Sequence, residues 1–251
     1  MLKRERHEYI LDQLKENGRV IVNELTNELS VTEDTIRKDL QELSKEGLIK
    51  RVHGGALRVD ASVVAFEQRI GQHPGLKEEL SRLAIPLLQS GSVIYLDSGT
   101  TNLSLATQIP LDYSGTIITN SPAIALSLTN HKLINIYLLP GELNKESKIL
   151  QGGTTLQAIK DIHFDLCVLG VSSIDVDQGI TVPSLEESIL KKTVIQQSSQ
   201  AISIITSDKI GSTSTYFVDN AKAIDIIITE SSVPKTIISR LNNIGTEVIT
   251  N

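Results

Sequence analysis

The sequence predicts an α/β protein of two unlike parts, a small, mainly helical N-terminal head and a larger body in which strands alternate with helices. Three observations predict it. Residues 1–57 carry apolar positions at helical spacing and end in a short strand and a glycine turn. From residue 76 onward, Ile- and Val-rich runs of strand length are separated by helix-length stretches. Those runs show little polar alternation, as expected when helices cover both faces of a parallel or mixed sheet.

In the head, Ile10, Leu11 and Leu14 mark one face of a first helix over about 2–17, which Gly18 ends. Val22, Leu25 and Leu29 mark a second, short helix over about 23–29. A third begins after Thr32, an N-cap residue, with Glu33 and Asp34 in the first turn where the helix dipole favours acids. Ile36, Leu40 and Leu43 are its buried stripe and Gly47 its stop. Residues 48–52 read as a strand and His53-Gly54-Gly55-Ala56 as a tight turn.

Residues 58–75 have no clean period and hold Gly71, Pro74 and Gly75, so they read as a linker, with one strand around 62–66. In the body, strands are expected at 92–96, 116–119, 134–139, 165–170, 201–206, 224–229 and 246–249. Helices are expected at 76–89, 101–108, 123–128, 154–160, 185–197 and 234–241. The expected domains are therefore 1–57, a linker at 58–75, and 76–251.

Composition excludes several classes. The chain has 251 residues, 40% hydrophobic and 22% charged, which is globular rather than disordered. A single cysteine allows no internal disulfide and points to a reducing compartment; the charged N-terminus leads into no apolar signal segment, and no run spans a membrane, so a cytoplasmic protein is expected. Aromatics are only 3% and Trp is absent, which disfavours stacking platforms for bare sugars or bases. The net charge of −6 hides an uneven spread: residues 1–58 balance 11 basic against 11 acidic residues, leaving 13 against 19 for the rest. An electroneutral head can still present a basic face.

Two short helices joined at Ser30-Val31, followed by a two-stranded wing, match helix-turn-helix geometry, in which the later helix lies in the DNA major groove. Thr35, Arg37 and Lys38 fall off its apolar stripe; Arg37 can fork to a guanine edge, while Thr32, Thr35 and Lys38 can meet bases or phosphates. Arg51 and His53 fall on the wing. The alternative is a plain helical bundle whose Arg37 and Lys38 pair with Asp34, Asp39 and Glu42 on a solvated face.

The stretch from Leu29 to Leu48, with Arg37-Lys38-Asp39-Leu40 at its centre and Lys50-Arg51-Val52-His53-Gly54-Gly55-Ala56 at its close, resembles the winged head of DeoR-family transcriptional regulators. The resemblance covers residues 3–57 and implies that the third helix reads operator DNA.

In the body, Asp97-Ser98-Gly99-Thr100-Thr101-Asn102 follows an expected strand and opens a helix. A glycine turn with successive hydroxyls at a helix N-terminus suits a phosphate; the plainer alternative is an N-cap turn without a ligand. No P-loop pattern is present. Thr119-Asn120-Ser121, Pro140-Gly141-Glu142 and Gly170-Val171-Ser172-Ser173 end other expected strands, where ligands gather in open α/β sheets. Glu187 and Lys191 are four apart on a helix, and Ser207-Asp208-Lys209 follows a further strand; a surface pair and a solvated turn are their ordinary readings.

Over about 75–250 the body resembles the DeoR C-terminal domain, which implies a fold similar to ribose-5-phosphate isomerase and binding of a phosphorylated sugar. The matches are Asp97-Ser98-Gly99-Thr100-Thr101, Thr119-Asn120, Gly141-Glu142, Gly170, Gly179, Glu186-Glu187 with Lys191, and Asp208-Lys209 with Gly211; Phe66-Glu67 and Arg69 fit as well. Pro140 stands where a second glycine is usual, and Val171-Ser172-Ser173 departs from the commoner pattern. On this resemblance the phosphate meets Ser98, Gly99, Thr100 and Thr101, and the polyol meets Asp97, Asn120, Glu142 and Lys191. Gly141, Gly170 and Glu187 complete the effector site, and Lys209 supplies counter-charge.

The expected function is a DNA-binding regulator, a repressor of a sugar uptake or catabolic operon, acting as a homo-oligomer on operator DNA and modulated by a phosphorylated sugar. No cofactor, metal or membrane partner is expected, and no catalysis. His7, His53, His73, His131 and His163 show no metal-ligand spacing, and Cys167 reads as an inert apolar side chain. The alternatives are a sugar-phosphate isomerase, with Glu186 or Glu187 as base and Lys191 or Lys209 as partner, and a DNA-binding protein without an effector.

Overall fold

The computed structural model describes residues 2–46, 48–59 and 66–251. The expected helix stop at Gly47 lies outside them, as does the expected strand at 62–66 apart from Phe66, which begins a helix instead.

The first part runs α1 (Lys3–Asn17), β1 (Arg19–Ile21), α2 (Val22–Leu29), α3 (Glu33–Lys45), β2 (Ile49–Val52) and β3 (Gly55–Val59). Gly18 closes α1 in the left-handed region, its N–H donating to the Leu14 carbonyl at 3.0 Å. The Thr32 hydroxyl caps α3 by accepting from the Thr35 N–H. Ile10, Leu14, Leu25, Ile36, Leu40 and Leu43 meet in one apolar core, the stripes read from the sequence. The expected four-residue turn is shorter: His53-Gly54 make it, and Gly55-Ala56 already belong to β3. Three-residue β1 is too short to show alternation, and pairing with β3 through Arg19–Leu57, Val20–Ala56 and Ile21–Gly55 is what makes it a strand.

The chain continues through α4 (Phe66–Ile70), α5 (Pro74–Ala84), β4 (Val93–Leu96), α6 (Thr100–Gln108), β5 (Gly115–Thr119), α7 (Pro122–Ser127) and β6 (Ile134–Leu138). A hairpin of β7 (Glu142–Asn144) and β8 (Ile149–Gln151) precedes α8 (Gly153–Ile159), β9 (Leu166–Val168), β10 (Ser173–Asp175), β11 (Gly179–Val182), α9 (Leu185–Gln196) and β12 (Ala201–Ile204). The last elements are β13 (Ser212–Thr213), β14 (Tyr216–Asp219), β15 (Ile226–Thr229), α10 (Lys235–Asn243) and β16 (Glu247–Thr250).

The strands expected in the body all enter one seven-stranded parallel sheet, ordered β16-β15-β12-β9-β4-β5-β6. The small strands β7, β8, β10, β11, β13 and β14 were not expected; their runs of two to four residues are too short to signal themselves. Successive side chains along each strand point to opposite faces. Ile94, Leu96, Leu166, Val168, Ile202 and Ile228 enter one core, with Leu80, Leu105 and Ile124 of α5, α6 and α7. Tyr95, Cys167, Ala201 and Ile227 enter the other, with Ile159, Leu190 and Leu241 of α8, α9 and α10. Two covered faces explain the lack of polar alternation. Burial pushes the Cys167 thiol pKa up to about 12, which leaves it the inert apolar residue expected.

Sheet order places a switch point between β4 and β9. From β4 the chain builds outward through β5 and β6, then returns to lay β9 on the other side of β4. A crevice at the carboxyl ends of the strands opens at such a point.

Asp39 is the charged residue of α3 that turns inward beside Ile36, Leu40 and Leu43. It accepts two hydrogen bonds from the Arg6 guanidinium, at 2.7 and 3.1 Å, and lies 3.2 Å from His7 Nε2, so it ties α1 to α3. Asp39 does not pair with Arg37 or Lys38, because it sits on the buried side of the helix at 2% exposure. Asp39→Ala removes the carboxylate that accepts two hydrogen bonds from Arg6 at a packed helix contact; thermal unfolding should show a loss of about 3 kcal/mol. An unchanged melting curve would remove this pair from the forces holding the head.

Candidate functional site

A cavity of about 520 Å³ lies at the switch point and is walled by the carboxyl ends of β4, β9, β12 and β15. Its floor is a buried ion pair. Lys191, on α9, donates to Asp97 Oδ2 at the end of β4, and Glu187 Oε1 lies 3.6 Å from the same ammonium. Asp97 Oδ1 accepts from the Ser98 N–H at 2.8 Å, and Oδ2 also accepts from the Gly170 N–H at 2.9 Å, across the switch point. Lys191 is 3% exposed and Asp97 1%. Burial works against the Lys191 charge, but Asp97 and then Glu187 outweigh it and raise its pKa, so it stays an ammonium. Gly170 is required by this closeness: a Cβ there would lie 2.3 Å from the Ser98 carbonyl oxygen.

One wall is the turn Ser98-Gly99-Thr100-Thr101. Gly99 is the N-cap of α6 at φ 131°, and no side chain caps the helix. Its first N–H groups are thus not taken by a cap side chain, and the positive end of the dipole faces the cavity. Asn102 holds the turn from behind, its amide donating to the carbonyls of Asp97 and Val168 at 3.0 and 3.1 Å.

Three further cations gather here: Arg69 of α4, Lys77 of α5, and Lys209 in a short 3-10 turn after β12. Lys77 is 7% exposed and donates to the Arg69 carbonyl at 2.5 Å. Burial, then the charges of Lys209 and Arg69, lower its pKa to about 8 against a smaller opposing effect of Asp208. The sequence reading missed Lys77 as a site residue. The signal was available: Lys77, Leu80, Ser81 and Ala84 form the buried stripe of α5, and a lysine on such a stripe has a reason to be there.

The structure brings Ser98, Gly99, Thr100, Thr101, Gly170, Glu187, Lys191 and Lys209 to the cavity wall. Asp97 lies beneath it, its carboxylate engaged by Ser98, Gly170 and Lys191, so it positions the floor instead of facing a ligand. Asn120, Gly141 and Glu142 do not line it. Asn120 is buried at the end of β5, on the far side of β4 from β9, and Gly141 and Glu142 are exposed where the β7–β8 hairpin begins.

On the head, Arg37, Lys38, Arg51 and His53 are all exposed. Arg37 pairs with Glu33 at 2.5 Å and Lys38 with Asp34 at 3.7 Å, each one helical turn back. The Thr32 and Thr35 hydroxyls lie 2.8 Å apart. Exposed pairs of this kind are worth a few tenths of a kcal/mol, so phosphates can displace them.

A helix-turn-helix head whose α3 exposes Arg37 and Lys38, joined to an α/β body with a cation-lined cavity, defines a ligand-sensing DNA-binding regulator. Residues 6–62 match the model of the DeoR-like helix-turn-helix domain and residues 72–231 that of the DeoR C-terminal sensor domain. The chain belongs to the DeoR family of transcriptional regulators. It is 32% identical to the transcriptional repressor GlcR of Bacillus subtilis, over 99% of this chain and 96% of that one. It is 28% identical to the glycerol-3-phosphate regulon repressor of Escherichia coli, over 97% of each. Among solved structures, the probable sor operon regulator of Shigella flexneri matches at 14% identity, TM-score 0.42, over 79% of this chain and 97% of that one. Ribose 5-phosphate isomerase A of Methanocaldococcus jannaschii matches at 12% identity, TM-score 0.41, over 55% of each.

Lys191→Met strands Asp97 and Glu187 around a neutral side chain. Urea unfolding should show a loss of about 3–5 kcal/mol, and the double variant with Asp97→Asn should recover part of it. Additive losses would show that the two groups do not act as a pair.

Proposed function

We propose that this regulator represses a sugar uptake or catabolic operon, and that a phosphorylated sugar in the cavity alters its affinity for operator DNA. The observation that carries the reading is the convergence of Lys77, Lys209 and Arg69 with the uncapped Gly99 turn at one cavity. Three cations at one cavity, where burial first and then the charges of Lys209 and Arg69 lower the Lys77 pKa, favour an anion between them. In this reading the phosphate lies against Ser98, Gly99, Thr100, Thr101 and Lys77, with Lys209 and Arg69 as counter-charge. The polyol meets Glu187 and Lys191. The recognition surface is Thr32, Thr35, Arg37 and Lys38, with Arg51 and His53 on the wing.

The units of this reading are a head at 1–57, a linker at 58–75 and a sensor at 76–251, working in the cytoplasm. The repressor acts as a homo-oligomer, since one recognition helix contacts few bases and symmetric operators match symmetric proteins. The exposed edge strand β6, with Tyr137 60% and Leu138 44% exposed, is a surface suited to self-association.

The same cavity favours sensing over turnover. Aldose–ketose isomerisation needs a carboxylate that gives and takes a proton. Lys191 is held by both Asp97 and Glu187, so using Glu187 or Lys191 as acid or base would break the buried cluster.

Mobility shifts on the DNA upstream of this gene, at fixed salt, test the reading. Wild type should respond to one phosphorylated sugar in a panel and not to its unphosphorylated parent. Arg37→Ala should weaken operator binding about 10-fold or more while sugar-phosphate binding stays. Binding indifferent to every sugar phosphate would sink the sensor reading and leave a DNA-binding protein without an effector.

Lys77 adds a pH dependence. Below pH 8 it is charged, so anion affinity is highest there and falls as pH rises through about 8. Titration calorimetry at pH 7, 8 and 9 should show this fall. Lys77→Gln should bind about 10-fold more weakly at pH 7 and lose the slope. A wild-type slope retained in Lys77→Gln would assign the titration to another group.

A further inference from the structure

We infer that residues 206–214 are the element through which the cavity sets the placement of the DNA-reading head. The inference rests on the proposed reading of cavity and head, and it names the route between them.

The segment touches both. Thr206, Ser207, Asp208 and Lys209 line the cavity, and Ser214 lines it again eight residues beyond Thr206. Between them the chain leaves the cavity and meets the head. Ser212 and Thr213, which form β13, pair in parallel with Arg58 and Val59 of β3. The wing strand β3 carries β1 on the same side as far as Leu57, so β13 takes up the edge where β1 ends. The sheet of the head is completed by a strand of the sensor.

Two contacts fix this junction. Gly18, one residue before β1, and Gly211, one residue before β13, meet backbone to backbone. A Cβ on Gly211 would lie 3.0 Å from Gly18 Cα, and one on Gly18 would lie 2.7 Å from Gly211 Cα. Both residues have positive φ, 73° and 74°, which suits glycine. From the wing strand β2, Lys50 donates to the Ser214 carbonyl at 3.2 Å. Asp177, at the turn after β10, adds a third tie by accepting from Arg19 of the head at 3.1 Å and from Arg240 of α10 at 2.7 Å.

The cavity-facing turn and the head-facing strand are joined by one side-chain hydrogen bond, and the residue between them is held to β10 by a backbone hydrogen bond. Ser212 Oγ donates to the Lys209 carbonyl at 2.8 Å, and the Gly211 N–H donates to the Ile174 carbonyl at 2.7 Å. An anion that draws Lys209 inward therefore displaces the start of β13. The pairing it disturbs is only two residues long, so a small shift suffices to release or re-register it.

The test uses the full chain and two variants outside both the cavity and the recognition helix. Gly211→Ala forces the seam apart at Gly18; Lys50→Met keeps the stem and removes the tie to Ser214. A sugar-phosphate panel (glucose 6-phosphate, fructose 6-phosphate, fructose 1-phosphate and glycerol 3-phosphate) is measured by calorimetry for binding and by mobility shift for operator affinity. Both variants should bind sugar phosphate as wild type does. Their operator affinity should no longer respond to it, against a wild-type change of about 10-fold. If Gly211→Ala binds no sugar phosphate, its fold has failed and Lys50→Met decides. A wild-type-sized response in Lys50→Met, or in a folded Gly211→Ala, overturns the route while leaving the sensor reading intact. A wild type that responds to no sugar phosphate overturns both.

Discussion

The structure depends on one buried ion pair. Asp97 ends the first strand of the parallel sheet, Lys191 sits mid-helix on α9, and Gly170 ends the neighbouring strand; the Asp97 carboxylate binds the other two. Two charges at 3% and 1% exposure are tolerable only because each is met by its opposite, the ammonium also by Glu187 and the carboxylate also by the Ser98 and Gly170 N–H groups. That requirement fixes how closely β4, β9 and α9 approach at the switch point. The cavity is what remains above the pair once it has formed.

Charge is distributed to match. The chain carries a net −6, yet Lys77, Lys191, Lys209 and Arg69, all buried or half-buried, collect around the cavity, where burial and neighbouring cations lower the Lys77 pKa. The head follows the opposite strategy. Arg37 and Lys38 are exposed and held only by i,i+4 acids, so DNA phosphates can replace those acids at small expense. Strong, buried electrostatics shape the sensor; weak, solvated electrostatics keep the reader available.

Helix stripes in the head and strand-length apolar runs in the body were legible because their periods reflect burial directly. Ile36, Leu40 and Leu43 lie inside, and each expected body strand entered the central sheet. The turn at 98–101 was legible as a turn because glycine and hydroxyl residues stand between a strand pattern and a helix pattern, and the resemblance to the DeoR C-terminal domain is what marked it as a phosphate site. Asn120 and Glu142 were legible as strand-end polar residues, but sheet order put them away from the cavity. Lys77 was overlooked although it shares the stripe of Leu80, Ser81 and Ala84 on α5, because the reading followed the turn and strand-end residues and passed over that helix face.

The sequence by itself determined the two-part architecture, the helix that carries Arg37 and Lys38, and the turn that opens α6, since each follows from the period or chemistry of neighbouring residues. Tertiary packing alone decided that Asp97 would clamp the cavity floor, that Lys77 and Lys209 would line one cavity, and that β13 would finish the sheet of the head. Those outcomes join residues 94, 132 and 154 positions apart, such as Asp97 with Lys191, Lys77 with Lys209, and Arg58 with Ser212. Contacts at such separation are set by strand order and packing, which no local pattern encodes.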